Sequence, residues 1–282
     1  MSEDKKQEEV ENPFEKNAKQ LELLKTRMSK VKHEIAIISG KGGVGKSLVT
    51  VNLATALAMN GREGKVGILD ADLHGPSVPR MMGLNGARLE SGPPGIFPAT
   101  GQYSIKVVSM AFLLENIEDP VIWRGPLKMG AIRQFLTDII WGDLDYLLID
   151  LPPGTGDESL SVLQLLPDMD GVIIVTIPSQ VSEDVVRKAV TFARGMNIPI
   201  LGLVENMSGV VCPHCGERID VFGTKGGENV AESMNISLLG KIPMDPRVSS
   251  TMDAGKPFII AEPDTPAAKE FREIVKKIEE QT

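Results

Sequence analysis

Short apolar runs recur along this chain, most closed by a polar residue and most followed by a longer stretch with helical spacing. The runs at 34–39, 65–70, 145–150, 171–177, 199–205 and 237–242 are dominated by Val, Ile and Leu. Runs of this length predict strands buried on both faces, as the strands of a parallel sheet are. A further strand is expected at 103–110. Residues 48–59, 127–141, 182–196, 226–234 and 266–280 predict helices. Asn60-Gly61 supplies a helix stop to the first of these, and the last puts Phe271, Ile274, Val275 and Ile278 on one stripe. Strands alternating with helices predict an α/β fold: a doubly wound, mainly parallel sheet flanked by helices, occupying 31–282.

Two stretches break the alternation. Residues 1–30 form a charged tail: 1–11 is mostly Ser, Glu, Asp, Lys and Gln and predicts disorder. From 13 to 32, Phe14, Leu21, Leu24 and Met28 fall at helical steps, which suits a helix packed on the domain or an arm for a partner. Residues 83–101, rich in Gly and Pro, predict a long surface loop. Composition removes several classes of function. The net charge of −8 argues against a surface that coats nucleic acid. No apolar run is long enough to cross a bilayer, and the N-terminus lacks an apolar signal core, so no membrane and a cytoplasmic location are expected. The two cysteines form no disulfide scaffold and suit a reducing compartment.

The chemistry begins at Gly40-Lys41-Gly42-Gly43-Val44-Gly45-Lys46-Ser47, which fits G-x-x-x-x-G-K-[ST] between a predicted strand and a predicted helix. Glycines let the backbone turn its N–H groups inward as a nest for phosphate oxygens, and the helix N-terminus adds to the attraction. Lys46 is expected on the β- and γ-phosphates, and Ser47 on Mg²⁺. Two other strands end in carboxylates, at Asp70-Ala71-Asp72 and at Asp150-Leu-Pro-Pro-Gly154. At the carboxyl edge of a parallel sheet such groups face the ligand, where they can hold Mg²⁺ through water or orient the attacking water. Asp72 could instead cap the following turn. His74 reads as a loop hydrogen-bonder, and Arg124 as a phosphate or partner contact or a solvated side chain. Gly154 is a candidate γ-phosphate sensor. Asn206, at another strand end, either reads a base edge or forms a turn.

Cys212-Pro-His-Cys215-Gly points two thiolates at one centre. A cluster or tetrahedral metal site wants about four ligands, so two copies related by a twofold axis would complete one. From the residues alone a [4Fe–4S] cluster and zinc both remain open, with a redox pair less suited to this position.

Lys41, a second lysine near the loop's start, makes the phosphate loop resemble the deviant loop of the MinD/ParA/nitrogenase iron-protein class. Asp70-Ala-Asp-Leu-His-Gly-Pro-Ser, Leu-Ile-Asp150-Leu-Pro-Pro-Gly-Thr-Gly-Asp, Glu205-Asn-Met-Ser and Cys212-Pro-His-Cys215 together resemble the Mrp/ApbC branch of ATP-dependent iron–sulfur cluster carriers. The resemblance covers roughly residues 30–262. It implies a MinD-like P-loop NTPase that slowly hydrolyses ATP, with Lys41 and Lys46 on phosphates and Asn206 on adenine. Ser47, Asp70, Asp72 and Asp150 would surround Mg²⁺ and the water. It further implies a homodimer in which Lys41 reaches the partner's nucleotide, a cluster in preference to zinc, and apo iron–sulfur proteins as recipients. Some relatives carry an extra N-terminal cysteine cluster; with no cysteine before Cys212, the short form is implied. A positioning ATPase with a zinc knuckle and a metabolic P-loop enzyme are the alternatives. The first lacks a visible membrane-seeking tail or basic face, and the second leaves the cysteine pair without a role.

Overall fold

The computed structural model describes residues 13–72, 75–113, 125–166, 168–212 and 214–282. The tail at 1–12, His74 and Arg124 lie outside the described residues, as does the side chain of Phe14. In chain order the elements begin with α1 (Pro13–Met28), β1 (Val31–Ser39), α2 (Lys46–Met59), β2 (Val66–Asp70) and α3 (Val78–Met81). Next come β3 (Glu90–Gly92), β4 (Gly95–Phe97), β5 (Ala99–Thr100), β6 (Lys106–Ser109) and α4 (Gly125–Thr137). The centre of the chain supplies β7 (Leu144–Asp150), α5 (Asp157–Leu165), β8 (Gly171–Thr176), α6 (Gln180–Gly195) and β9 (Ile200–Glu205). The remainder is β10 (Val210–Val211), β11 (Arg218–Ile219), α7 (Gly226–Met234), β12 (Leu238–Lys241), α8 (Arg247–Asp253), α9 (Phe258–Ala261) and α10 (Pro266–Glu279).

One sheet runs β12-β9-β8-β1-β7-β2-β6-β5, parallel throughout except for β5 at its edge. From β1 the chain moves outward through β2 and β6, returns to insert β7 beside β1, then crosses to β8, β9 and β12. The reversal of direction around β1 is where an open α/β sheet leaves a crevice at its carboxyl edge. Period-two alternation splits the core between the two faces: Ile35 and Ile37 pack on one side, Ala36 and Ile38 on the other. The first side is covered by α2, α9 and α10, with Leu53, Leu57, Phe258, Phe271 and Ile274 fully or almost fully buried. Each such side chain contributes about 1.5–3 kcal/mol by leaving water. The other side is covered by α1 and by α4 to α7. The apolar spacing of the N-terminal segment is partly met by packing: Leu24 and Met28 of α1 join this core, while Leu21 is exposed.

Three local expectations are corrected. Residues 83–101 are not one loop: Glu90–Gly92 and Gly95–Phe97 pair as an antiparallel hairpin, and β5 adds to the sheet. Strands of two or three residues leave no alternation long enough to read. The strand expected at 103–110 starts only at Lys106, because Tyr103 (φ 53°) and Ser104 (φ 54°) sit in the left-handed region and break the extended backbone. The helix expected to reach 141 stops at Thr137, and the chain then pairs with β4 through Ile96 N–H to Asp138 O and Ile140 N–H to Ile96 O.

Candidate functional site

β1 ends at Ser39 and α2 begins at Lys46, leaving Gly40–Gly45 to make the turn. Gly43 (φ 79°) and Gly45 (φ 81°) occupy the left-handed region that L side chains avoid. A Cβ at Gly45 would also collide with Asn206 Nδ2, and one at Gly40 with Val185. No side chain caps α2, so the N–H groups of its first turn stay available to an anion. The loop is thus shaped by close approach on two sides and open toward the crevice.

Behind it lies a buried polar cluster. Lys46 Nζ is 2.7 Å from Asp150 Oδ2. The Ser47 hydroxyl donates to the same oxygen at 2.6 Å, and the Thr50 hydroxyl donates to Oδ1 at 2.7 Å. Asp150 itself has no exposed surface. Parallel register sets Asp70 on β2 directly beside Asp150 on β7. Asp70 Oδ2 accepts from Ser109 Oγ at 2.9 Å, and Oδ1 from Asp72 N–H at 3.2 Å. Burial first, and then the neighbouring charge of Asp150, push the Asp70 carboxyl up to about 8 against the opposing pull of Lys46 and Ser109. Burial and the Asp150 charge thus disfavour ionisation of Asp70, and it is Asp150 that Lys46 contacts directly. The Asp72 carboxylate accepts from Gly75 N–H at 3.1 Å, which is the turn-capping role weighed for it above.

Other predicted residues fall around this cluster. Lys41 is half-buried at the loop's entrance, and no described carboxylate lies within ion-pair reach of its ammonium. Gly154 (φ 97°) donates its N–H to Ser39 O at 2.8 Å, a bond it must release before it can sense a phosphate. Asn206 does not point freely at a base, since its Nδ2 donates to Val44 O at 2.9 Å within the phosphate loop. Asn206 also lines, with Leu48, Met207, Pro243, Asp245 and Phe271, an apolar cavity of about 510 Å³ next to that loop. Thr50 and Ser109 were not singled out from the sequence. Thr50 follows Ser47 by three residues and so shares its helix face, whereas Ser109 is recognisable only once β6 is known to lie beside β2.

The cysteines sit apart from this cluster, on a hairpin that leaves the carboxyl end of β9. Val210 pairs with Ile219 and Val211 with Arg218. Cys212 N–H donates to Glu217 O and Gly216 N–H to Cys212 O, closing a tight turn that holds both free thiols. Backbone N–H groups of Cys215 and His214, with the Cys215 thiol, hold the Cys212 thiol below its ordinary range. Cys212 is partly exposed, Cys215 is exposed, and Val211, Ile219, Val221 and Phe222 are exposed around them.

The arrangement is that of a P-loop nucleotide-binding protein. The ParA-type family described as NUBPL iron-transfer P-loop NTPases matches residues 30–279, and the chain belongs to it. A Methanocaldococcus jannaschii protein named iron-sulfur cluster carrier protein is 52% identical over 263 residues, 93% of this chain and 89% of that protein. A Saccharolobus solfataricus protein of the same name is 52% identical over 252 residues, 89% of this chain and 84% of its own length. The solved nucleotide-binding protein from Archaeoglobus fulgidus in complex with ADP is 42% identical. Its TM-score is 0.77, with 89% of this chain and 96% of that one covered. The cell division ATPase MinD of Pyrococcus furiosus, 24% identical with a TM-score of 0.62 over 89% of this chain and 100% of its own, shares the fold. The resemblance read from the motifs and the mainly parallel sheet are both borne out. Among the described residues no helix is long and apolar enough to cross a membrane.

Proposed function

We propose that this chain is an ATP-dependent carrier that holds a [4Fe–4S] cluster between two copies of itself and passes it to apoproteins. The observation that carries the reading is the exposed Cys212–Cys215 hairpin on the same edge of the sheet as the phosphate loop. Two relatives about half identical to this chain are named iron-sulfur cluster carrier proteins, which supports the same cargo. One chain offers two thiolates, and among the described residues no group of three or more His, Cys, Asp or Glu gathers to hold a metal. A second copy is the economical source of the other two ligands.

The donor set fits MgATP. Uncapped N–H groups and Lys46 match the phosphates, and the hydroxyl of Ser47 with the carboxylate of Asp150 matches a hard, oxygen-seeking cation. Bound Mg²⁺ would neutralise charge developing on the phosphates. Lys46 exchanges Asp150 for the phosphates, and Asp150 stays oriented by Thr50. On this reading Asp70 and Asp72 would orient the water and Lys41 would reach a partner's nucleotide, while the cavity beside Asn206 has the size and apolar lining of a purine site.

Anaerobic reconstitution tests the cargo. The protein should become a brown dimer with about four irons per two chains. Cys212→Ser and Cys215→Ser should each abolish cluster binding and transfer while sparing ATP binding. A colourless dimer, prepared without oxygen, with one tight zinc and no transfer, would overturn the reading in favour of a zinc knuckle.

A further inference from the structure

Between the phosphate loop and the cysteines the structure places a series of hydrogen bonds joined by short stretches of backbone. Asn206, the first residue beyond β9, donates Nδ2 to Val44 O in the phosphate loop and its backbone N–H to Thr176 O at 2.8 Å. Its side chain packs where a Cβ on Gly45 would otherwise be. Met207 (φ 55°) and Gly209 (φ 73°) then turn the chain sharply, with Ser208 held between them at 3% exposure. Ser208 donates its hydroxyl to Glu205 Oε1 at 2.7 Å, and Glu205 Oε2 accepts Gly227 N–H at 2.7 Å, so the turn is tied to both β9 and α7. One guanidinium nitrogen, Arg218 Nη2, donates to Ser208 Oγ at 3.0 Å and to Ser208 O at 3.1 Å. Arg218 belongs to β11, the return strand of the cysteine hairpin, directly opposite Val211 and one step from Cys212.

Resting on the nucleotide site proposed above, we infer that Ser208 and Arg218 couple the phosphate loop to Cys212 and Cys215, so that nucleotide occupancy sets how the hairpin presents its thiols. Without this brace the hairpin is held by its two covalent links, through Gly209 to β9 and through 220–225 to α7, and by the backbone bridge of Val210 with Met244, whose N–H donates to Gly209 O at 2.8 Å; the Gly209 backbone tolerates rotation. With it, the hairpin moves as one body with Asn206 and Val44. A phosphate seated on the loop's N–H groups shifts the Val44 carbonyl, and Arg218 carries the shift to the turn that closes around Cys212. Arg218 is thus a positioning residue, touching neither nucleotide nor metal. Such coupling is reciprocal: whatever nucleotide does to the cysteines, a metal at the cysteines does to nucleotide affinity by the same factor.

The test uses full-length, metal-free protein and the alkylation rate of Cys212 and Cys215 by iodoacetamide, with and without saturating MgADP. In the wild type MgADP should change the rate by about fivefold. Arg218→Gln, whose side chain is more than half exposed and so dispensable for folding, should bring the ratio near one at unchanged ADP affinity and melting temperature. Ser208→Ala, which keeps only the backbone acceptor, should give an intermediate ratio. Arg187→Gln, a surface change that breaks only a bond to Ser233, should behave as wild type. An undiminished MgADP response in Arg218→Gln would overturn the coupling, as would a wild type that binds ADP yet alkylates at one rate. Because no cluster is present in the assay, either result leaves cluster carriage standing, and failure of cluster reconstitution leaves the coupling standing.

Discussion

Replacing Lys46 with Met should destabilise the nucleotide-free protein as well as weaken nucleotide binding. Without nucleotide, the Lys46 ammonium is, among the described residues, the only positive charge paired with the fully buried Asp150 carboxylate. Removing one partner of a buried pair costs about 3–5 kcal/mol, because the other charge is left uncompensated. Two hydroxyls, Ser47 and Thr50, still donate to Asp150, so the lower end, about 3 kcal/mol, is expected. At roughly 2–4 °C per kcal/mol for a domain of this size, the melting temperature should fall by about 6–12 °C. Asp150→Asn should cost a similar amount by stranding Lys46. The double variant carries neither charge and should lie within about 1 kcal/mol of wild type, giving a large favourable interaction energy in the cycle. Differential scanning calorimetry of the four proteins measures this. A second arm adds MgADP at a hundredfold over its dissociation constant, which should stabilise the wild type by about 2.7 kcal/mol and Lys46→Met far less. An unchanged melting temperature for nucleotide-free Lys46→Met, or strictly additive losses in the double variant, would refute the reasoning.

Burial, then the charges of Asp170 and Asp168, push Glu34 up to about 7 from 4.5. The unfolded carboxyl ionises near 4.5, so the folded state carries no penalty below that pH and the whole of it above about 7. Glu34→Gln should therefore gain up to about 3 kcal/mol on the wild type between pH 4.5 and 8, and parallel stability–pH curves would count against it. Gly45→Ala combines a left-handed φ of 81° with a collision against Asn206, and ADP binding by titration calorimetry should drop at least about tenfold; wild-type affinity would show the loop to be looser than described. For Lys41, mixing Lys41→Ala with Asp150→Asn subunits should restore part of the ATPase activity that each lacks. If heterodimers form and stay inactive, action across a dimer loses its support.

Much of this protein is written locally. The apolar runs ending in Ser39, Asp70 and Asp150, the glycine-rich turn and the cysteine pair are contiguous signals, and each strand or loop they predict is present. The start of the 103–110 strand and the 83–101 segment were less legible, because a left-handed Tyr103 and strands of two or three residues are set by what they pack against. What only the tertiary structure decided is which ends meet. Insertion of β7 between β1 and β2 puts Asp70 beside Asp150, adds that neighbouring charge to the burial that raises the Asp70 pKa, and brings Ser109 to the first and Thr50 to the second. The line from Val44 to Arg218 spans more than 170 positions and shows no periodicity. Strand order and such long-range contacts depend on loop-closure entropy and the burial of whole faces, quantities that no short window of sequence contains.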